Sequence, residues 1–168
     1  MPTVNLPNHK SYKGHFPLLE RDLVYLDSAA TTQKPNEVIE AMSEFQRTVY
    51  GTVHRAIYSL SEESTARYSS VRLQVAAFIG AAQPEEIIFT RGTTDGLNLL
   101  AYTLGEKHLG KGDVILISEL EHHSNIIPWQ LAAERKGAEL KAVKMLPTGE
   151  IDQADMEAIL AEGRVKIA

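Results

Sequence analysis

The run EIIFTRGTTDGLNLLA at residues 86–101 decides the fold. Its first five residues are rich in the bulky types that favour a strand, and Leu97, Leu100, Ala101 and Leu104 then recur at helical spacing. Between them lies a Gly-Thr-Thr turn. A strand that passes through a tight turn into a helix is one half of a crossover unit, and the residues that follow repeat the rhythm. DVILIS at 113–118 reads as a strand, a helix is expected around Pro128 to Lys136, and ELKAVKM at 139–145 is again strand-like. A helix from about Asp152 through Met156, Ile159 and Leu160 stops at Gly163, and Val165 to Ala168 open another strand. Alternation of this kind, with strands written as continuous apolar runs, predicts an α/β fold built on a mainly parallel sheet flanked by helices.

Working back from residue 86, Ser61 is expected to cap a helix whose apolar positions Tyr68, Val71, Val75, Phe78 and Ile79 lead to Gly80 as the stop. Before it, Pro35 suits a first helical position, and Val38, Ile39, Met42, Phe45 and Val49 form an amphipathic stripe ending near Gly51. LVYLD at 23–27 reads as a short strand leaving through the small-residue turn Ser28-Ala29-Ala30-Thr31-Thr32. Residues 1–22, with Pro2, Pro7 and Pro17, form a polar lead-in, and 23–168 are expected to belong to one domain. The final strand has no turn after it, which leaves a sheet edge unfinished, so the chain is expected to be a piece of a longer protein.

Composition narrows the function. A chain of 168 residues, 43% hydrophobic and 23% charged, can bury a core. A net charge of −5 with scattered Lys and Arg offers no basic stripe for nucleic-acid phosphates. No apolar run approaches the roughly 18 residues of a membrane span, and the first residues lack the apolar stretch of a secretory signal, so the cytoplasm is the expected location. Cysteine is absent, which excludes disulfides, thiolate metal sites and a cysteine nucleophile within these residues.

Two stretches could carry chemistry. The helix opened by Thr93 and Thr94 presents free N–H groups and the positive end of a dipole, with two hydroxyls beside them, so a phosphate could be held without a lysine. The alternative is that one threonine merely caps the helix. Glu121, His122 and His123 fall just past the carboxyl end of a strand, where parallel sheets bind ligands. An imidazole there could lie over a flat heteroaromatic ring and pass protons. Surface histidines in a helix-entry loop are the alternative, and metal binding is the rival functional reading, although no spaced ligand set accompanies the pair. Arg55 could meet a carboxylate in a two-point contact, His54 adjoins it, and Ala29 allows close backbone approach; each could equally be an ordinary surface or turn residue. Glu62, Glu63, Glu119 and Glu121 read as solvated or helix-start charges.

The segments YLDSAATTQKP, VHRAIYSLSEESTARY, EIIFTRGTTDGLNLLA and ISELEHHSNIIPWQ, in this order, resemble the SufS/CsdA-type branch of class V aminotransferase-like cysteine desulfurases. The resemblance implies part of the large pyridoxal 5′-phosphate (PLP) domain of fold type I, incomplete at its C-terminus. It also implies a homodimer that converts L-cysteine to L-alanine and passes persulfide sulfur to an acceptor protein for iron–sulfur cluster assembly. On it, Thr93 and Thr94 would contact the cofactor phosphate, His122 would stack on the pyridine ring and assist proton transfer, and Ala29, His54 and Arg55 would lie near the substrate. Where close relatives often carry glutamate after the two threonines, this chain has Asp95. The Schiff-base lysine, the persulfide cysteine, an asparagine and an aspartate at the cofactor and an arginine for the substrate carboxylate are expected beyond Ala168. The 168 residues alone are therefore expected to be inactive. Two other readings stay open: a non-catalytic form that binds a full-length relative, and a selenocysteine lyase.

Overall fold

The computed structural model describes residues 12–168, which form two compact units divided between Ile87 and Ile88. Much of the expected lead-in, including Pro2 and Pro7, lies outside the described residues.

In the first unit, helix α1 spans Asn36–Thr48 and helix α2 spans Ser59–Ile79. Pro35 sits one position before the helix, and its carbonyl accepts the N–H groups of Val38 and Ile39 at 3.1 and 3.2 Å. Gly80 ends α2 in the left-handed conformation (φ 74°), which lets Ala81 N–H return to the Ala76 carbonyl at 2.9 Å. Ser61, expected as the cap of α2, is instead inside the helix and 1% exposed. Its hydroxyl donates to the Thr52 carbonyl at 2.7 Å. Three residues on, the Ser64 hydroxyl donates to the Val49 carbonyl at 2.7 Å and accepts Gly51 N–H at 3.1 Å. One face of α2 thus satisfies the backbone of the loop that leaves α1. That loop lies so close that a Cβ at Gly51 would meet the Leu60 backbone at 2.9 Å.

The strand expected at Leu23 to Asp27 is not formed. A strand exists only through ladder bonds to a neighbour, and among the described residues this segment has none; Val24 and Leu26 remain 83% and 90% exposed. What holds it is local: the Tyr25 hydroxyl donates to the Thr31 carbonyl at 2.6 Å.

The second unit contains α3 (Thr93–His108), β1 (Val114–Ser118), α4 (Ile127–Lys136), β2 (Glu139–Val143), α5 (Gln153–Ala161) and β3 (Val165–Ile167). The sheet order is β2-β1-β3, parallel throughout, with Val114 opposite both Glu139 and Val165. This is the expected α/β arrangement. The steps from β1 to β2 and from β2 to β3 run in opposite directions, so right-handed crossovers place α4 and α5 on opposite faces. The central strand is therefore covered twice, and Val114 and Ile115 are fully buried. Ile115 packs with Ala101 and Leu109 on one side of the cluster and Trp129, Ala132 and Ala133 on the other. Helices α3 and α4 approach closely because residue 105 is glycine: a Cβ there would lie 3.2 Å from the Ala132 Cβ.

Asp152 caps α5 through its Oδ1, which accepts Ala154 and Asp155 N–H at 3.0 and 3.1 Å. Of the expected strand at residues 86–90, Ile87 to Thr90 have no ladder, and Ile88 is 70% exposed. Glu86 closes a short 3-10 turn with Gln83 instead, its carboxylate accepting Gln83 N–H at 3.1 Å.

Candidate functional site

The site is best defined at the carboxyl end of β1, where Ser118 starts a run of side-chain hydrogen bonds. Its hydroxyl donates to Glu121 Oε1 at 2.8 Å, Glu121 Oε2 accepts Asn125 Nδ2 at 2.8 Å, and Asn125 Oδ1 accepts the Trp129 indole N–H at 2.9 Å. Trp129 is buried in the core, so the run ties the loop at both ends to rigid structure. The amide of Asn125 and the hydroxyl of Ser118 favour the ionised Glu121, holding its carboxyl below the ordinary glutamate range. Glu121 and Glu119 are expected from the sequence to be solvated or helix-start charges, yet Glu121 is held in this run and Glu119 Oε2 accepts Met145 N–H at 2.8 Å. Both are structural acceptors. The signal available in the sequence was the spacing of Glu121, Asn125 and Trp129, each four residues from the last.

His122 sits inside this loop with an exposed side chain and extended backbone. Its Nδ1 faces Ser124 N–H at 3.2 Å and the Ser124 hydroxyl at 2.9 Å. A backbone N–H can only donate, so Nδ1 carries the lone pair and the neutral ring holds its proton on Nε2. The His123 ring meets that of His122 edge to face, with centroids 5.8 Å apart. Among the described residues no group of three or more His, Cys, Asp or Glu side chains could hold a metal ion.

At the start of α3, Gly92 has φ 150° and ψ −179°, a conformation open in practice only to glycine. It lets the chain turn into the helix with no side-chain cap, so neither Thr93 nor Thr94 plays the capping part that was the alternative to phosphate binding. Both are exposed, and their side-chain hydroxyls have no partner among the described residues. Asp95 Oδ2 turns back to accept Arg91 N–H at 3.1 Å. Leu97, one turn beyond Thr93, and Glu121, one residue before His122, line the same open cavity of about 620 Å³. Two hydroxyls with the orphan amides of a long helix suit a phosphate dianion, and an imidazole with a fixed ring and an outward N–H suits a flat heteroaromatic ring. The residues present therefore fit PLP.

The remaining expected residues lie in the first unit. Ala29 occupies an exposed turn in which Ala30 and Thr31 N–H both reach the Asp27 carbonyl. His54 has φ 65°, unusual for a residue with a side chain, and is held there by its N–H donating to Thr65 Oγ1 at 3.0 Å and by its ring meeting Tyr68 edge-on at 5.8 Å. Arg55 is exposed and makes no ion pair among the described residues. His54 also lines a cavity of about 750 Å³ with Val53, Tyr68, Arg72, Pro84 and Glu85. No described helix is long and apolar enough to cross a membrane.

Comparison with known proteins gives a consistent picture. The family model described as aminotransferase class-V matches residues 24–168. A cysteine desulfurase of Klebsiella pneumoniae is 48% identical over 160 residues, which are 92% of this chain and 39% of that protein. Among solved structures, the apo cysteine desulfurase of Thermococcus onnurineus NA1 superposes with a TM-score of 0.81 at 36% identity, over 94% of this chain and 38% of that one. The Escherichia coli cysteine desulfurase CsdA gives 0.76 at 35% identity, over 92% and 38%. The chain thus spans about two fifths of the length of these relatives.

Proposed function

The chain belongs to the aminotransferase class-V family, and on that premise we propose that it supplies the phosphate-binding and ring-facing groups of a PLP-dependent cysteine desulfurase. The observation that carries this reading is the pairing, within one α/β unit, of an uncapped helix start at Thr93 and Thr94 with a tautomer-fixed His122 beyond the central strand. Similarity to cysteine desulfurases supports L-cysteine as the substrate.

When bound, PLP supplies an electron sink for cleavage at the substrate sulfur. Thr93 and Thr94 hold the phosphate through helix amides and hydroxyls, and the helix dipole adds to that attraction. His122 would face the cofactor ring, and because Nδ1 is committed to Ser124, Nε2 would be the atom at which it holds or gives up a proton. The resemblance alone puts Ala29, His54 and Arg55 of the first unit near the substrate, and the Arg55 guanidinium, without an ion pair among the described residues, could meet a carboxylate. The proposal extends to a homodimer in the cytoplasm that passes its sulfur to an acceptor protein for iron–sulfur cluster assembly.

Covalent anchoring of the cofactor and sulfur transfer require a lysine and a thiolate at the site. The 168 residues contain no cysteine, so on their own they are expected to release no sulfur from L-cysteine above the free-cofactor background. Clear turnover by pure material would refute that expectation. The exposed apolar side chains of the first unit, Ile57 at 99% and Phe78 at 89% among them, support work within a larger assembly over a self-sufficient short form.

The deciding experiment is L-alanine formation from L-cysteine by a cofactor-loaded full-length desulfurase that carries these residues together with the lysine and the thiolate. His122→Ala is expected to lower kcat by about 10²- to 10⁴-fold, the usual worth of a positioned acid–base group. Unchanged kcat would remove His122 from the chemistry.

A further inference from the structure

His122 is exposed, yet its surroundings are not those of a free surface loop. Residues before and after it in the chain are joined: the carboxylate of Glu121 and the side-chain amide of Asn125 meet at 2.8 Å. Asn125 also uses its backbone, donating N–H to the His122 carbonyl at 2.8 Å. The outer ends of this bracket are anchored, one in Ser118 at the end of β1 and the other in Trp129, which is 6% exposed. The hydrogen bond that sets the tautomer, Ser124 N–H to Nδ1, lies inside the bracket and keeps its direction only while residues 121–125 hold their shape. Glu121 and Asn125 could each bond to water at the surface, so the continuous run through four side chains needs a reason beyond solvation.

We propose that Glu121 and Asn125 are positioning residues: they bracket His122 so that its ring orientation and its Nε2–H tautomer are set before the cofactor arrives. The inference rests on the cofactor-facing role of His122 given above, and it adds two residues that act through His122. Bracket geometry, not the charge of Glu121, does the work. A glutamine at 121 keeps an oxygen for Asn125 Nδ2 and an amide for the Ser118 hydroxyl, which can accept as well as donate. Glutamine should therefore substitute for glutamate, and alanine should not.

The test uses the intact protein with and without PLP, in Glu121→Ala, Glu121→Gln, Asn125→Ala and His122→Ala forms. Two-bond ¹H–¹⁵N correlation of the His122 ring in the apo-protein reports the tautomer without any turnover, and visible circular dichroism of the loaded protein reports how the cofactor is held. Glu121→Ala and Asn125→Ala are expected to lose the single-tautomer signature, to shift the dichroic band and to lower kcat by about 10- to 100-fold, the effect of a small misplacement of a reacting group. KM should hardly move, and Glu121→Gln should restore all three readouts. Wild-type tautomer and dichroism in both alanine variants, even with lowered thermal stability, would overturn the inference, and so would a glutamine variant as damaged as the alanine one. Should Glu121→Ala fail to fold, Ser118→Ala opens the bracket from its other end and is read in the same way. The His122→Ala variant separates the two levels. If it leaves the dichroic band and kcat intact, the cofactor-facing role itself fails. If it alters them while the bracket variants do not, only the positioning role fails.

Discussion

The two units solve the same problem by different means. In the second, a parallel sheet draws its strands from segments far apart in sequence, and the central strand ends up fully buried. In the first, two helices satisfy their own backbones, and Val38, Ile39 and Met42 of α1 stay 41%, 42% and 58% exposed, apolar surface that the described residues do not cover. What orders the first unit is polar, the hydroxyls of Ser61 and Ser64 on the loop after α1. Sheet pairing joins segments distant in sequence, whereas helical hydrogen bonds close within one segment.

If that contrast is right, the most damaging change belongs to the second unit. Ile115→Ala removes a fully buried side chain from the middle of the sheet and should cost about 2–5 kcal/mol in urea unfolding. In the first unit the counterpart is backbone proximity: Gly51→Ala drives a methyl group to within 2.9 Å of the Leu60 backbone and should cost about 1–3 kcal/mol. Ser64→Ala leaves Gly51 N–H without its acceptor, at a cost in the same range of about 1–3 kcal/mol. Hydrogen exchange would show whether that loss is confined to residues 49–54. Asp152→Ala, removing the cap of α5, should cost about 1 kcal/mol with no change in the first unit's exchange. If Ser64→Ala proved as disruptive as Ile115→Ala, the contrast between the units would break.

The smallest effect is electrostatic. Glu121 titrates below its ordinary value of 4.5 in the folded protein, so its bonds add stability that is fully present above that value. That contribution fades as the pH falls through the lower folded value. Acid titration of Glu121→Gln should lack this component and otherwise follow the parent protein. An identical acid transition in both would place the carboxylate outside the stability balance.

What could be read from the sequence follows the same division. The second unit was legible from α3 to β3 because β1 is a continuous apolar run and α4 and α5 run up to Gly137 and Gly163, both with positive φ. The strands expected at residues 23–27 and 86–90 have the right residues but no ladder, because periodicity reveals which face is apolar and not which segment will pair with it. Ser61 misled for a related reason: serine before a helix and serine buried in one look alike until the loop it bonds to is known. At the site, His122 and the two threonines stood out by their place after and before regular elements. The bracket around His122 did not, since a Glu and an Asn four residues apart usually mark a solvated turn.

The missing side chain at Gly105 acts as a fulcrum. Thr93 lies about 18 Å along α3 from that point, at 1.5 Å per residue, while the partner residue Ala132 belongs to the helix that begins just after the His122 turn. One methyl group added at 105 would ask the Ala132 side of that crossing to give by a few tenths of an ångström, and the length of α3 would magnify any rotation this causes at its threonine end. The spacing between the threonine end of α3 and the His122 turn before α4 thus depends on an atom that is not there.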